Sequence, residues 1–145
     1  MYRFNLESLL NHRRYQEEIL QRELADLKKR LAAEKNKLQL LKKKMRKYLQ
    51  NLKQKQKKGH RASEIKLFFD FVDHISKETH AQYQRVIGAE QAFFLKREEL
   101  ISAMKKRKTL EKLKAKGWQA YQQKQFKKER DFMDEVAGRR FHFEP

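Results

Sequence analysis

Apolar residues recur at alternating steps of three and four from residue 6 to residue 52. With a at 10, 17, 24, 31, 38, 45 and 52 and d at 6, 13, 20, 27, 34, 41 and 48, eleven of the 14 positions are apolar. The exceptions are Arg13, Glu17 and Glu34. A 3–4 spacing held over this many heptads predicts a coiled-coil seam rather than a merely amphipathic face. Asn5 is the expected N-cap, with Glu7 in the first turn, where the helix dipole favours an acid. The seam stops at KQKQKKGHRASE, residues 53–64, which holds Gly59 and ends near Ser63, a good cap for a new helix. The heptad then resumes, with a at 65, 72, 79, 86, 93, 100 and 107 and d at 68, 75, 82, 89, 96, 103 and 110. Ten of these 14 are apolar, and Thr79, Gln82, Lys96 and Arg107 interrupt. Phe69, Phe71, Tyr83, Phe94 and Met104 widen the stripe toward e and g. Gly88 is an expected soft spot, costing about 1 kcal/mol relative to Ala.

A short bend makes the two helices antiparallel neighbours. The expected fold is therefore all-α: a long antiparallel two-helix coiled-coil hairpin over 1–145, with the second helix overhanging the first. The expected boundaries are helix 1 at about 5–55, a bend at about 56–63, helix 2 at about 64–137 ended by a Gly138 C-cap, and a mobile tail over 138–145. Met45 should meet Val72 or Ile75, Leu27 should meet Phe93, and Leu6 should meet Leu110. Pairing then runs out near residue 115.

Composition narrows the classes. The 145 residues include no Cys, four Gly and one Pro, so a disulfide scaffold and a thiolate metal site are excluded and a turn-rich strand fold is disfavoured. No window offers the roughly 18 uncharged apolar residues of a membrane helix. MYRFNLESLLNHRR lacks the apolar stretch of a secretory leader, so none is expected. A two-helix seam encloses no core and offers no deep substrate pocket. No enzyme activity is expected.

The net charge of +18 is unevenly spread. Residues 1–58 carry 18 basic and 6 acidic side chains, and residues 105–130 carry 11 and 2. The densest basic patches are Lys42, Lys43, Lys44, Arg46 and Lys47, and Lys105, Lys106, Arg107 and Lys108. They suit either solvated helix faces or docking on acidic surfaces and phosphates. Association with nucleic acid is the alternative reading that such a charge suggests. The runs lack a helix-turn-helix, a zinc finger, a stacking platform or a basic region followed by a parallel zipper, which argues against it.

Catalytic and metal constellations are absent. The glycines at 59, 88, 117 and 138 are too scattered to cradle a phosphate. Asp70, Asp73 and His74 could at most hold a cation weakly, and an ordinary polar helix face explains them better. The pairs Glu17–Glu18 and Glu98–Glu99 are expected on exposed helix, where nothing would raise a carboxyl pKa for acid–base work. No metal and no cofactor is expected.

Two aromatic groups remain. Residues 117–145 hold Trp118, Tyr121, Phe126, Phe132, Phe141 and Phe143, and Trp118, Phe132 and Val136 share one helical row. With no first helix opposite, this row either folds back or awaits a partner. Near the bend, Tyr48, Phe68, Phe69, Phe71 and Ile75 exceed what one seam can bury. Phe71 is the expected exposed anchor, and Tyr48, Phe68 and Ile75 are expected in the seam.

The opening MYRFNLESLLNHRRYQEEILQRELADL, the block MKKRKTLEKLKAK and the end FKKERDFMDEVAGRRF together resemble the flagellar FliJ family. The resemblance covers the whole chain. It implies an antiparallel two-helix coiled coil similar to the stalk subunit of rotary ATPases. It further implies a place in the cytoplasmic part of the flagellar type III export apparatus, at the inner membrane. The implied partners are the hexameric export ATPase, the cytoplasmic platform of the membrane export gate, and export chaperones, with no small-molecule substrate. Leu6, Leu10, Trp118, Tyr121, Phe126, Phe132 and Val136 would then face the ATPase ring. Leu41, Tyr48, Phe71 and Ile75 would face the gate. Lys44 and Glu78 depart from the apolar or aromatic residues found there in parts of the family.

Overall fold

The computed structural model describes residues 1–57, 59 and 61–143, with side chains described through residue 140. The fold is all-α. Helix α1 spans Glu7–Lys57 and helix α2 spans Ala62–Phe143, packed against each other, and no strand occurs among the described residues. Contacts divide the chain into two compact units, Met1–Glu18 with Ile101–Pro145, and Ile19–Leu100.

Burial follows the predicted heptad closely. From Leu10 to Leu52, the α1 residues that lose solvent are those at a and d, joined only by Gln16 and Ile19. On α2 all 14 predicted positions from Ile65 to Leu110 are buried or half-buried. The buried apolar side chains among the described residues are few: Leu10, Leu38, Phe68, Ile75, Val86 and Leu110. The apolar stabilisation is thus a thin line, and each fully buried side chain on it carries about 1.5–3 kcal/mol of burial.

Polar residues that interrupt the seam meet across it. In the terminal unit the Arg107 guanidinium donates to the buried Glu17 carboxylate and, at 2.9 Å, to Glu111. In the other unit Lys96 bridges Glu23 at 2.8 Å and Glu99 at 3.2 Å. There too the Gln82 amide, 3% exposed, donates to the Glu34 carbonyl at 3.0 Å and to the Glu34 carboxylate. Glu17 therefore does not sit on exposed helix as expected, because a cation opposite it satisfies a carboxylate that the register forces inward.

Several ends differ from expectation. Asn5 lies in a turn, and α1 opens with Glu7 N–H bonded to the Phe4 carbonyl at 3.1 Å. Leu6, just outside the helix, stays 41% exposed and does not join the seam. Helix α2 starts one residue before Ser63, with the Arg61 carbonyl accepting from Glu64 and Ile65. Gly59 has φ +72°, the left-handed conformation that ends a helix without a Cβ clash. Its expected bend companions Lys58 and His60 lie outside the described residues. Helix α2 runs through Gly138 to Phe143, because this glycine keeps a negative φ and a single helical glycine costs only about 1 kcal/mol. Of the tail expected to be mobile, Glu144 and Pro145 lie outside the described residues.

Candidate functional site

In the terminal unit the chain before α1 closes the seam further than the pairing arithmetic allows. Tyr2 lies against α2, its ring centroid 5.7 Å from both Trp118 and Tyr121, and Trp118 stacks on Tyr121 at 5.9 Å. The Tyr2 hydroxyl donates to the Lys114 carbonyl at 3.4 Å. Gly117 makes this possible: a Cβ there would stand 2.1 Å from the Tyr2 oxygen and 3.1 Å from its ring. A methyl at 117 would have to push the phenol aside. Lys114 pairs with Glu7 at 2.8 Å beside this cluster. The seam therefore extends to Tyr121 rather than ending near 115. Extending the heptad on α2 places a and d at 114, 117 and 121, so the signal was present; the notch for Tyr2 was not visible in a pattern of apolar residues.

Beyond Tyr121 every described residue, 122–140, is exposed. Phe126, Phe132, Met133 and Val136 are therefore uncovered, Phe132 and Met133 to about 67% and 72%. Of the other residues expected on this surface, Trp118 and Tyr121 belong to the Tyr2 cluster. Leu10 is fully buried in the seam and forms no part of this surface. Lys105, Lys106 and Lys108 are exposed, whereas Arg107 is drawn into the seam by Glu17.

In the other unit, Tyr48 stacks on Phe71 with centroids 3.8 Å apart and lies 4.8 Å from Phe68. The Lys44 ammonium sits 5.8 Å over the Phe71 ring. Phe71 is accordingly half-buried and not the exposed anchor expected, since a g-position ring can fold onto the Tyr across the seam. Leu67 and Phe69 are the outward-facing residues of this segment, at 70% and 57% exposure. Leu41 is half-buried, and Ile75 is 1% exposed and belongs to the seam. Lys42, Lys43, Lys44, Arg46 and Lys47 all face solvent.

His74 pairs with Glu78 at 3.1 Å and Asp73 with Lys77 at 3.2 Å, each one turn apart. No group of three His, Asp or Glu side chains able to hold a metal ion occurs among the described residues. None of the described helices is long and apolar enough to cross a membrane.

Charges on the seam respond to pH in a defined direction. The hydrogen bond from Arg107 holds the Glu111 carboxyl below its ordinary value of 4.5, helped by Arg14. Hydrogen bonds to Glu23 and Glu99 hold Lys96 above its ordinary 10.5. The Met1 ammonium lowers the Tyr121 phenol. A depressed carboxyl stabilises the fold above its unfolded pKa, and that contribution is lost as pH falls through the folded value. A raised lysine stabilises below its unfolded pKa, and its contribution is lost as pH rises through the folded value. In low salt the melting temperature should thus hold between about pH 5 and 10 and fall on both sides. Circular-dichroism melts that stay flat from about pH 6 to pH 3 would contradict the role of these pairs.

No curated protein and no solved structure matches the chain. One family model does match, described as "Flagellar FliJ protein", over residues 2–144 of the 145. Family membership brings with it a role connected with flagellar protein export, as a non-catalytic component. The antiparallel helix pair and a match spanning nearly every residue agree: the chain belongs to the flagellar FliJ family.

Proposed function

We propose that this protein is a stalk of the flagellar type III export machinery, working in the cytoplasm at the inner membrane. Its terminal unit enters and stimulates the hexameric export ATPase. Its other unit meets the cytoplasmic platform of the export gate through Leu41, Tyr48 and Phe71, and export chaperones are handed over along it. One observation carries this reading. Residues 122–140 form helix that no other described residue covers, yet display Phe126, Phe132, Met133 and Val136. Such a face is stable in water only because the helix is charged elsewhere, and it gains most by entering an apolar sleeve. The exposed lysines of 105–108 would steer that entry toward acidic surfaces.

The test is ATP hydrolysis by the partner ring with full-length chain and with a chain ended after Gln123. The shorter chain keeps Tyr2, Gly117, Trp118 and Tyr121, so its own seam remains intact. Stimulation should disappear with the shorter chain and drop sharply with Phe126→Ser/Phe132→Ser. Full stimulation by the shorter chain would remove the tail from the ring-binding role.

A further inference from the structure

The helix pair of the unit Ile19–Leu100 has two flanks. The residues proposed to face the gate lie on one of them, where Lys44, Tyr48 and Phe71 gather. The opposite flank, made by the e and b positions of both helices, carries a groove of about 510 Å³. It is lined by Leu38, Lys42, Met45, Arg46, Thr79 and Tyr83, with His80 on the α2 wall. Its floor is apolar: Leu38 is buried, and Met45 is half-buried beside it. Thr79 donates its hydroxyl to the Ile75 carbonyl at 2.7 Å, so that donor is already engaged. Tyr83 is half exposed along the α2 edge, and the same stripe continues to Phe69 in one direction and Phe94 in the other, each more than half exposed. Lys42 and Arg46 form the α1 wall, exposed and without an ion pair among the described residues. Further along the flank Lys35 and Glu90 pair at 3.8 Å.

The geometry points to a docking site for an acidic amphipathic helix of a partner protein, laid along this flank as a third strand of the coil. Its apolar side chains would sit on Leu38, Met45 and Tyr83, and its carboxylates would face Lys42 and Arg46. Heptad geometry makes the fit natural, since a third helix adds its a and d residues to a seam already exposed at e. Charge selects the occupant. A second copy laid face to face would set Lys42 and Arg46 against their own kind, in a chain of net charge +18. A phosphate backbone would make no use of the apolar floor. This site is independent of the stalk reading, since it involves neither the tail nor the Tyr48–Phe71 flank.

The probe is a synthetic peptide of about three heptads with Leu at a and d and Glu on both flanks, against a scrambled peptide of the same composition. Fluorescence anisotropy with full-length protein should show saturable binding of the ordered peptide only. Lys42→Glu/Arg46→Glu should weaken it by about tenfold or more, and Tyr83→Ser should weaken it as well. Lys42→Gln/Arg46→Gln is the milder version should the reversal disturb folding. Arg22→Glu/Lys29→Glu, the same charge change on the outer face of α1, should alter binding by less than about threefold. Equal binding of the scrambled peptide, or equal weakening by both charge reversals, would reduce the effect to bulk charge and overturn the site. Sedimentation showing self-association that Lys42→Glu/Arg46→Glu abolishes would assign the groove to a second copy and overturn the proposed occupant.

Discussion

Leu10→Ala and Ile75→Ala should each destabilise the protein by about 2–4 kcal/mol, and each in its own unit. Both side chains are essentially without solvent contact, Leu10 in the terminal unit and Ile75 in the unit Ile19–Leu100. Truncation removes the transfer energy of three carbons and leaves a void whose walls are single side chains on the two helices. The void can partly collapse, because a two-helix seam has no surrounding shell to hold its walls apart, so the upper end of the usual range is not expected. Leu40→Ala, at a position 65% exposed, should change stability by less than about 0.5 kcal/mol. Amide exchange separates the two effects. A loss of 2 kcal/mol raises local opening about thirtyfold, so Leu10→Ala should speed exchange in residues 7–18 and 101–121. Ile75→Ala should do so around Phe68 and Tyr48. Equal acceleration across both units would mean that they open together and that the division has no energetic meaning.

The heptad was legible because period and burial are the same fact seen twice. A side chain at a or d points at the other helix whatever its chemistry, so even Glu17, Glu34, Gln82 and Arg107 lie inside where the register puts them. Composition could not say what those four would do once there. Reading them as interruptions misses that Glu17 finds Arg107 and Glu34 finds Gln82. The helix ends were less legible, as expected where one residue of fraying changes the boundary. Gly138 illustrates the limit: a glycine permits a left-handed cap but does not impose one, and the helix simply continues. Of the candidate surfaces, the aromatic tail was readable because nothing on α1 remained to cover it. The Tyr2 cluster was not, since it depends on the missing side chain of Gly117. Phe71 was misplaced for a related reason. Its heptad position leaves it on the flank, but stacking on Tyr48 is worth about 0.5–1.5 kcal/mol and turns it inward.

The polar layers lead to the second large effect, in which a more stable protein becomes a less specific one. Gln82 is almost without solvent and its amide has two acceptors, the carbonyl and carboxylate of Glu34. Gln82→Leu removes both donors and leaves a carboxylate facing a leucine, which should cost about 1–3 kcal/mol. Glu34→Leu with Gln82→Leu removes the polar layer entirely and completes the leucine seam between Leu31, Leu38 and Val86. That double variant should be as stable as the parent or more so, since apolar replacement of a buried polar pair is often neutral or stabilising. What it loses is a buried partner-specific contact at that level. A leucine accepts any leucine, one heptad up or down or from another chain, whereas the Gln82 amide reaches Glu34 in a single register. The expected result is therefore a raised melting temperature together with dimers and slipped registers, read by sedimentation and by cross-linking between cysteines placed at 41 and 75. A double variant that melts higher yet shows no more dimer than the parent and one cross-linking register would show that the remaining seam, with Glu23 and Lys96, already fixes the alignment alone.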